Sequence, residues 1–119
     1  MYRFEKLRVY HNALDLVEEV YKLTKSLPTE EKFALIDQLK RSSVSIVLNI
    51  AEGTGGLGDI EFKSFLRIAL KSLYETVAGL KLAEKLFRSS INVPIGKCEK
   101  VGKELNALIK SLSNNKSKD

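Results

Sequence analysis

The stretch QLKRSSVSIVLNIAEG, residues 38–53, places Ser42, Ser43, Ser45 and Asn49 inside an otherwise apolar run of helical character. Residues of this kind can attack a substrate, bind a ligand, or let helices approach closely. A nucleophilic serine needs a base within reach and an oxyanion site. The only histidine, His11, falls on the polar side of the first helical pattern, where solvent exposure is expected. A single histidine cannot build a zinc cluster, and Cys98 lies on an apolar stripe as a small hydrophobe would. No Glu-x-x-His pair supplies a ferritin-like metal site. Glu52 and Glu75 could meet in space, but their spacing does not require it. The glycine-rich link GTGGLG fails two further tests. Gly58 is followed by Asp59 rather than the Lys-Ser/Thr of a phosphate-binding loop. A helix precedes the link where a dinucleotide fingerprint needs a strand. The link therefore reads as a flexible connector. No catalytic, cofactor-binding or metal-ligating residue is assigned, and the chain is read as a non-enzyme. The serines are read as packing residues. Ser43 falls within the apolar arc of its helix, with Ser42 and Ser45 at or beyond its edge. Asn49, on the polar side, is free to bond a neighbouring chain or a helix end.

Charge is the more informative pattern. Lys and Arg number 20 against 15 Asp and Glu, a net charge of +5 that permits a polyanionic partner without requiring one. Within the third helical segment Lys63, Arg67, Lys71, Lys81, Lys85 and Arg88 share one broad face, interrupted only at Tyr74 and Ala78. Glu75 and Glu84 flank that line. On a straight helix the row runs about 35–40 Å. Such a ridge can track a phosphate backbone, with Tyr74 stacking a base beside it. It can equally be a solvated surface paired with Asp15, Glu18 and Glu19 of a neighbouring helix. Lys40, next to Arg41, lies within the apolar arc of the second helix; it either snorkels out, pairs with a buried acid, or lines an opening in an assembly. No helix-turn-helix, zinc finger or basic zipper is present, so any binding to RNA or DNA rests on backbone contacts.

Four amphipathic helices carry these residues. The first is predicted over about Val9–Ser26 and is stopped at Leu27-Pro28. Thr29 is positioned to cap the second, which reaches Glu52 before Gly53 ends it. Asp59 is positioned to cap the third, which ends near Arg88. Asn92 or Ser90 caps the fourth, with Pro94 in its first turn. No strand pattern competes. The fold class is all-α, an antiparallel up-down four-helix bundle, with a single domain over 1–113 and a polar tail over 114–119. No apolar run is long enough to cross a bilayer, no signal peptide is seen, and the lone cysteine fits a reducing cytoplasm. The apolar arcs are broader than a minimal bundle needs. Leu16 and Leu23 lie at one edge of the first arc, and Phe33, Val44 and Leu48 at one edge of the second. These edges are either buried within the subunit or meet another subunit, and homo-oligomerisation is preferred.

The segments FEKLRVYHNALDL, LIDQLKRSSVSIVLNIAEG and EFKSFLRIALKSLYET resemble the small four-helix-bundle proteins encoded within intervening sequences of bacterial 23S ribosomal RNA genes, a family often labelled S23 ribosomal protein. The resemblance spans about residues 2–88. Val47 stands where that family has a proline in its S-I-P-x-N-I-A-E-G pattern, and the link GLGDI lacks the family's basic residues. The resemblance implies an antiparallel bundle assembled as a ring-shaped homopentamer. Relatives of the family include the accessory protein of diversity-generating retroelements, a basic pentameric barrel that binds nucleic acid and reverse transcriptase. Lys40 and Arg41 match the family's basic pair; Asn49, Glu52 and Gly53 match its N-I-A-E-G signature; Arg67 matches a basic position of the third helix. No catalytic role attaches to these positions. Two functions are thus expected to compete. One is a non-enzymatic homo-oligomeric nucleic-acid-binding or nucleoprotein accessory factor, using Lys40, Arg41, Lys63, Arg67, Lys71, Lys81, Lys85 and Arg88. The other is an oligomeric scaffold that binds a protein partner.

Overall fold

Periodic apolar residues at three- and four-residue steps dictate helices that must bury one stripe each, and the computed structural model realises this with four of them. It describes residues 1–56 and 58–117, with side chains through Ser113. A 3-10 turn, Arg3–Lys6, leads into α1, Arg8–Thr24. A second 3-10 turn, Thr29–Glu31, precedes α2, Leu35–Thr54. Then come α3, Asp59–Phe87, and α4, Asn92–Ser117. Each helix packs on two others, α1 and α3 both touching α2 and α4, so α1 lies diagonally across from α3. The bundle measures 52 × 23 × 20 Å. Leu16, Val20, Leu39, Ile46, Ile50, Leu66, Leu80, Val101 and Leu105 fill the axis with no exposed surface, each contributing about 1.5–3 kcal/mol of burial. Asn12 Nδ2 donates to both carboxylate oxygens of Glu104, 2.7 and 3.0 Å away, pinning α1 to α4.

Helix ends depart from expectation in instructive ways. Thr29 does not cap α2. It opens the 3-10 turn, and Ala34, at φ −123° and ψ −101°, breaks the ladder before Leu35. This break lets Leu27 and Leu35 both enter the core, and it leaves Phe33 87% exposed. Gly53 does not end α2 either, which continues to Thr54. A Cβ on Gly53 would lie 2.8 Å from Phe62 Cδ1 and 3.0 Å from Phe65 Cβ, so this glycine serves close approach of α3 rather than termination. Asp59 is the first residue of α3 rather than its cap; Gly58, at φ 138°, holds the cap position in a conformation open to glycine. Asp59 and Glu61 still sit at the positive end of the helix. Asn92 likewise begins α4 instead of preceding it, while Pro94 does occupy the first turn. Past Ser113, where polarity suggests a tail, the helical backbone runs on to Ser117, and residues 118–119 lie outside the described residues.

The surplus apolar edges divide. Leu16 and Leu23 are consumed within the subunit, at 0% and 9% exposure, whereas Phe33 and Leu48 remain on the surface. No helix among the described residues is long and apolar enough to cross a membrane.

Candidate nucleic-acid interface

Small hydroxyl side chains let α2 and α3 approach, and the approach uses up the hydroxyls. Ser42 Oγ and Thr76 Oγ1 share a hydrogen bond of 2.8 Å, and Thr76 Oγ1 also lies 2.9 Å from the Ser72 carbonyl. One turn along, Ser45 and Ser72 share a hydrogen bond of 2.8 Å. Asn49 Nδ2 donates back to the carbonyl and hydroxyl of Ser45, at 2.9 and 3.0 Å. Ser43, fully buried, donates to the Lys40 carbonyl at 3.2 Å. Gly79 completes the contact: a Cβ there would come within 2.7 Å of Leu39 Cδ2. The motif that looked chemical is therefore a saturated seam, and its partners on α3, Ser72 and Thr76, were not visible as such in the chain. Among the described residues no buried side-chain polar atom lacks a partner.

The other candidates for chemistry disperse. His11 is exposed, with Nε2 2.6 Å from the Glu5 carbonyl, and it faces no serine of α2. Glu75 accepts a hydrogen bond from Gln38 Nε2 at 3.0 Å, which places it about 21 Å along α2 from Glu52. Cys98 is buried, and burial, with Glu99 adding repulsion, pushes its thiol up to about 12. It stays neutral, as an apolar filler does. The described residues contain no group of three His, Cys, Asp or Glu able to hold a metal ion.

The basic residues of α3 behave differently. Arg67, Lys71, Lys81, Lys85 and Arg88 are all exposed, and among the described residues none is ion-paired. Lys63 is half-buried and donates to Ser113 Oγ of α4 at 3.1 Å. Arg88 lies just past the helix in the left-handed region, φ 56°, its N–H donating to the Glu84 carbonyl and that of Ser89 to the Ala83 carbonyl. From Lys63 to Arg88 the row runs about 37 Å. Glu75, Glu84 and Glu99 lie beside it but form no ion pair with it among the described residues. Glu18 and Glu19 pair with Lys22 at 4.0 and 3.4 Å, on a helix that α3 does not touch.

Lys40 and Arg41 do not join this row. Lys40 turns toward α1, with Nζ 4.9 Å from the centre of the Tyr21 ring, which is how a cation is accommodated in that arc. Arg41 pairs with Asp37 at 3.5 Å and overlooks the α2–α3 groove beside Gln38 and Glu75. The row instead borders α4, where Tyr74 and Lys81 meet Glu99 and Lys103 around a cleft. Those α4 residues escaped notice because only the apolar stripe of that helix was informative. The small residues Cys98 and Gly102, one turn apart on it, were the available signal.

A sequence model of the 23S rRNA-intervening sequence protein family matches residues 5–113. Among solved structures, the chain is similar to a protein of unknown function from the S23 ribosomal protein family of Bacteroides thetaiotaomicron VPI-5482, determined at 1.70 Å resolution. The two are 28% identical, with a TM-score of 0.76, over 86% of this chain and 95% of that one. No curated protein matches the chain.

Proposed function

We propose that this chain, which belongs to the 23S rRNA-intervening sequence protein family, is a non-enzymatic, homo-oligomeric nucleic-acid-binding accessory factor. The observation that carries this reading is the row of five exposed cations, Arg67 to Arg88, with no carboxylate partner among the described residues. Unpaired cations at helical spacing exchange their counterions for phosphates at little structural cost, and the released ions drive binding. Five such contacts to a single strand give a slope of log affinity on log salt of about −3 to −4. Phe33, Leu48, Leu82 and Leu86, all more than half exposed, supply the apolar surface for self-association. Assembly into a ring, the pentamer implied by the family resemblance, would repeat the row and multiply its affinity.

A second reading, an oligomeric scaffold for a protein partner, draws on the same exposed apolar residues. Light scattering on a sizing column separates the two, run with and without a mixed RNA and DNA pool at low and physiological salt. An oligomer whose mass rises with nucleic acid supports the first reading. An oligomer that never shifts favours the scaffold.

A further inference from the structure

Between α3 and α4 lies a cleft of about 420 Å³. Its floor is apolar, formed by Leu73, Val77, Ile95 and the neutral Cys98. Gly102 lies in its α4 wall and packs closely on α3: a Cβ there would lie 3.1 Å from Leu73 Cδ2. Its mouth has a different chemistry. Tyr74, 65% exposed, stands on one wall beside Lys81, with Lys103 and Glu99 among the residues of the α4 side.

The position of this opening matters. The cation row on α3 is interrupted between Lys71 and Lys81, a gap of about 15 Å, and Tyr74 and Ala78 fill that gap. The cleft is lined there, by Tyr74 and by Lys81 of the row. A ligand that keeps negative charge on both sides of the gap, and presents a flat apolar group within it, fits every one of these features. A polynucleotide is such a ligand, provided its bases are free to leave the stack.

We propose that the α3–α4 cleft receives a base of single-stranded RNA or DNA, with its ring against Tyr74 and the flanking phosphates on Lys71 and Lys81. This rests on the nucleic-acid reading above and deepens it by naming the strandedness of the ligand. Base–aromatic stacking is sequence-tolerant and is worth about 1–3 kcal/mol per base. Glu99 repels phosphate and so keeps the backbone on the lysine side, while its carboxylate can accept from an N–H on the base edge. A duplex keeps its bases stacked and paired; it meets the cations but leaves the cleft unused.

The test compares labelled single-stranded RNA, single-stranded DNA and the duplex of one sequence of about 20 nucleotides, by fluorescence anisotropy at physiological salt. The intact protein is expected to prefer both single strands over the duplex by about tenfold or more. Tyr74→Ala should lose that preference, Tyr74→Phe should retain it, and duplex affinity should be the same for all three proteins. Tyr74 is solvent-facing, so its replacement leaves the core intact. With no tryptophan in the chain, tyrosine emission gives a second readout: single strands should quench it in the parent protein more than in Tyr74→Phe. If charge reversal at Lys71 and Lys81 weakens binding while Tyr74→Ala leaves single-strand affinity unchanged, the ridge stands and the cleft assignment falls. If the parent protein binds none of the three probes, both fall together.

Discussion

The two sides of α3 face their neighbours on opposite terms. Toward α2, serines, a threonine and two glycines bring the backbones close, and every hydroxyl there has found a partner inside the protein. Toward α4, the surface keeps a cleft with an apolar floor, an exposed tyrosine and cations that pair with nothing among the described residues. The difference teaches where to look for function. Polar residues within a helical run attract attention because they resemble catalytic groups, but here their hydroxyls are engaged in bonds that join or brace the helices. The capacity left over is electrostatic, and it lies one face away.

That contrast can be attacked from both sides. The largest effect expected is on binding: the combined change Arg67→Glu, Lys71→Glu and Lys81→Glu should lower nucleic-acid affinity at least about 100-fold and flatten its salt slope by about one per lost contact. Anisotropy titrations at two salt concentrations would check it, and retained affinity would remove the ridge from consideration. Ser42→Ala with Ser45→Ala, on the saturated side, should leave affinity within twofold in the same assay. Next in size is the close approach itself. Gly53→Val drives a side chain into Phe62 and Phe65 and should cost about 2–3 kcal/mol, seen as a lower urea midpoint at unchanged slope. A double-mutant cycle of Ser42→Ala and Thr76→Val should then give a coupling of about 1 kcal/mol; additivity would mean that the seam hydrogen bond contributes nothing measurable.

The last effect is confined to alkaline pH. The Cys98 thiol is raised in the folded protein from 9.0 to about 12 by burial, with Glu99 second. Between those values the unfolded chain releases a proton that the folded chain retains. Stability from this source is therefore complete below pH 9 and lost as pH rises toward 12, by up to about 1.4 kcal/mol per pH unit. Denaturation of Cys98→Ala should show a shallower decline above pH 9 than the parent protein.

How much of this was legible in the chain depends on the range of the interaction. The helices were, because their apolar spacing is local. The ridge was too, since a row along one helix needs only the helical repeat. Terminal residues were less so: Thr29, Gly53 and Asp59 carry the right local chemistry for caps and stops, and none is used so; Gly53 stands inside α2, where Phe62 and Phe65 leave no room for a Cβ. Lys40 was legible as an oddity but not as a neighbour of Tyr21, because that contact needs α1 and α2 in register. The cleft was least accessible of all. It lies between two helices, and a space between helices leaves no periodic signature.

The seam between α2 and α3 also answers a problem that leucines alone leave open. Two helices joined only by similar apolar side chains can slip by one turn, about 5.4 Å, and find nearly the same contacts again. Here a slip would pull Ser42 from Thr76 and Ser45 from Ser72 together, stranding the donor and acceptor of the buried Ser42–Thr76 pair. Each stranded group costs about 1–3 kcal/mol. The hydroxyls thus act as a detent, making one alignment of the hairpin distinguishable from its neighbours.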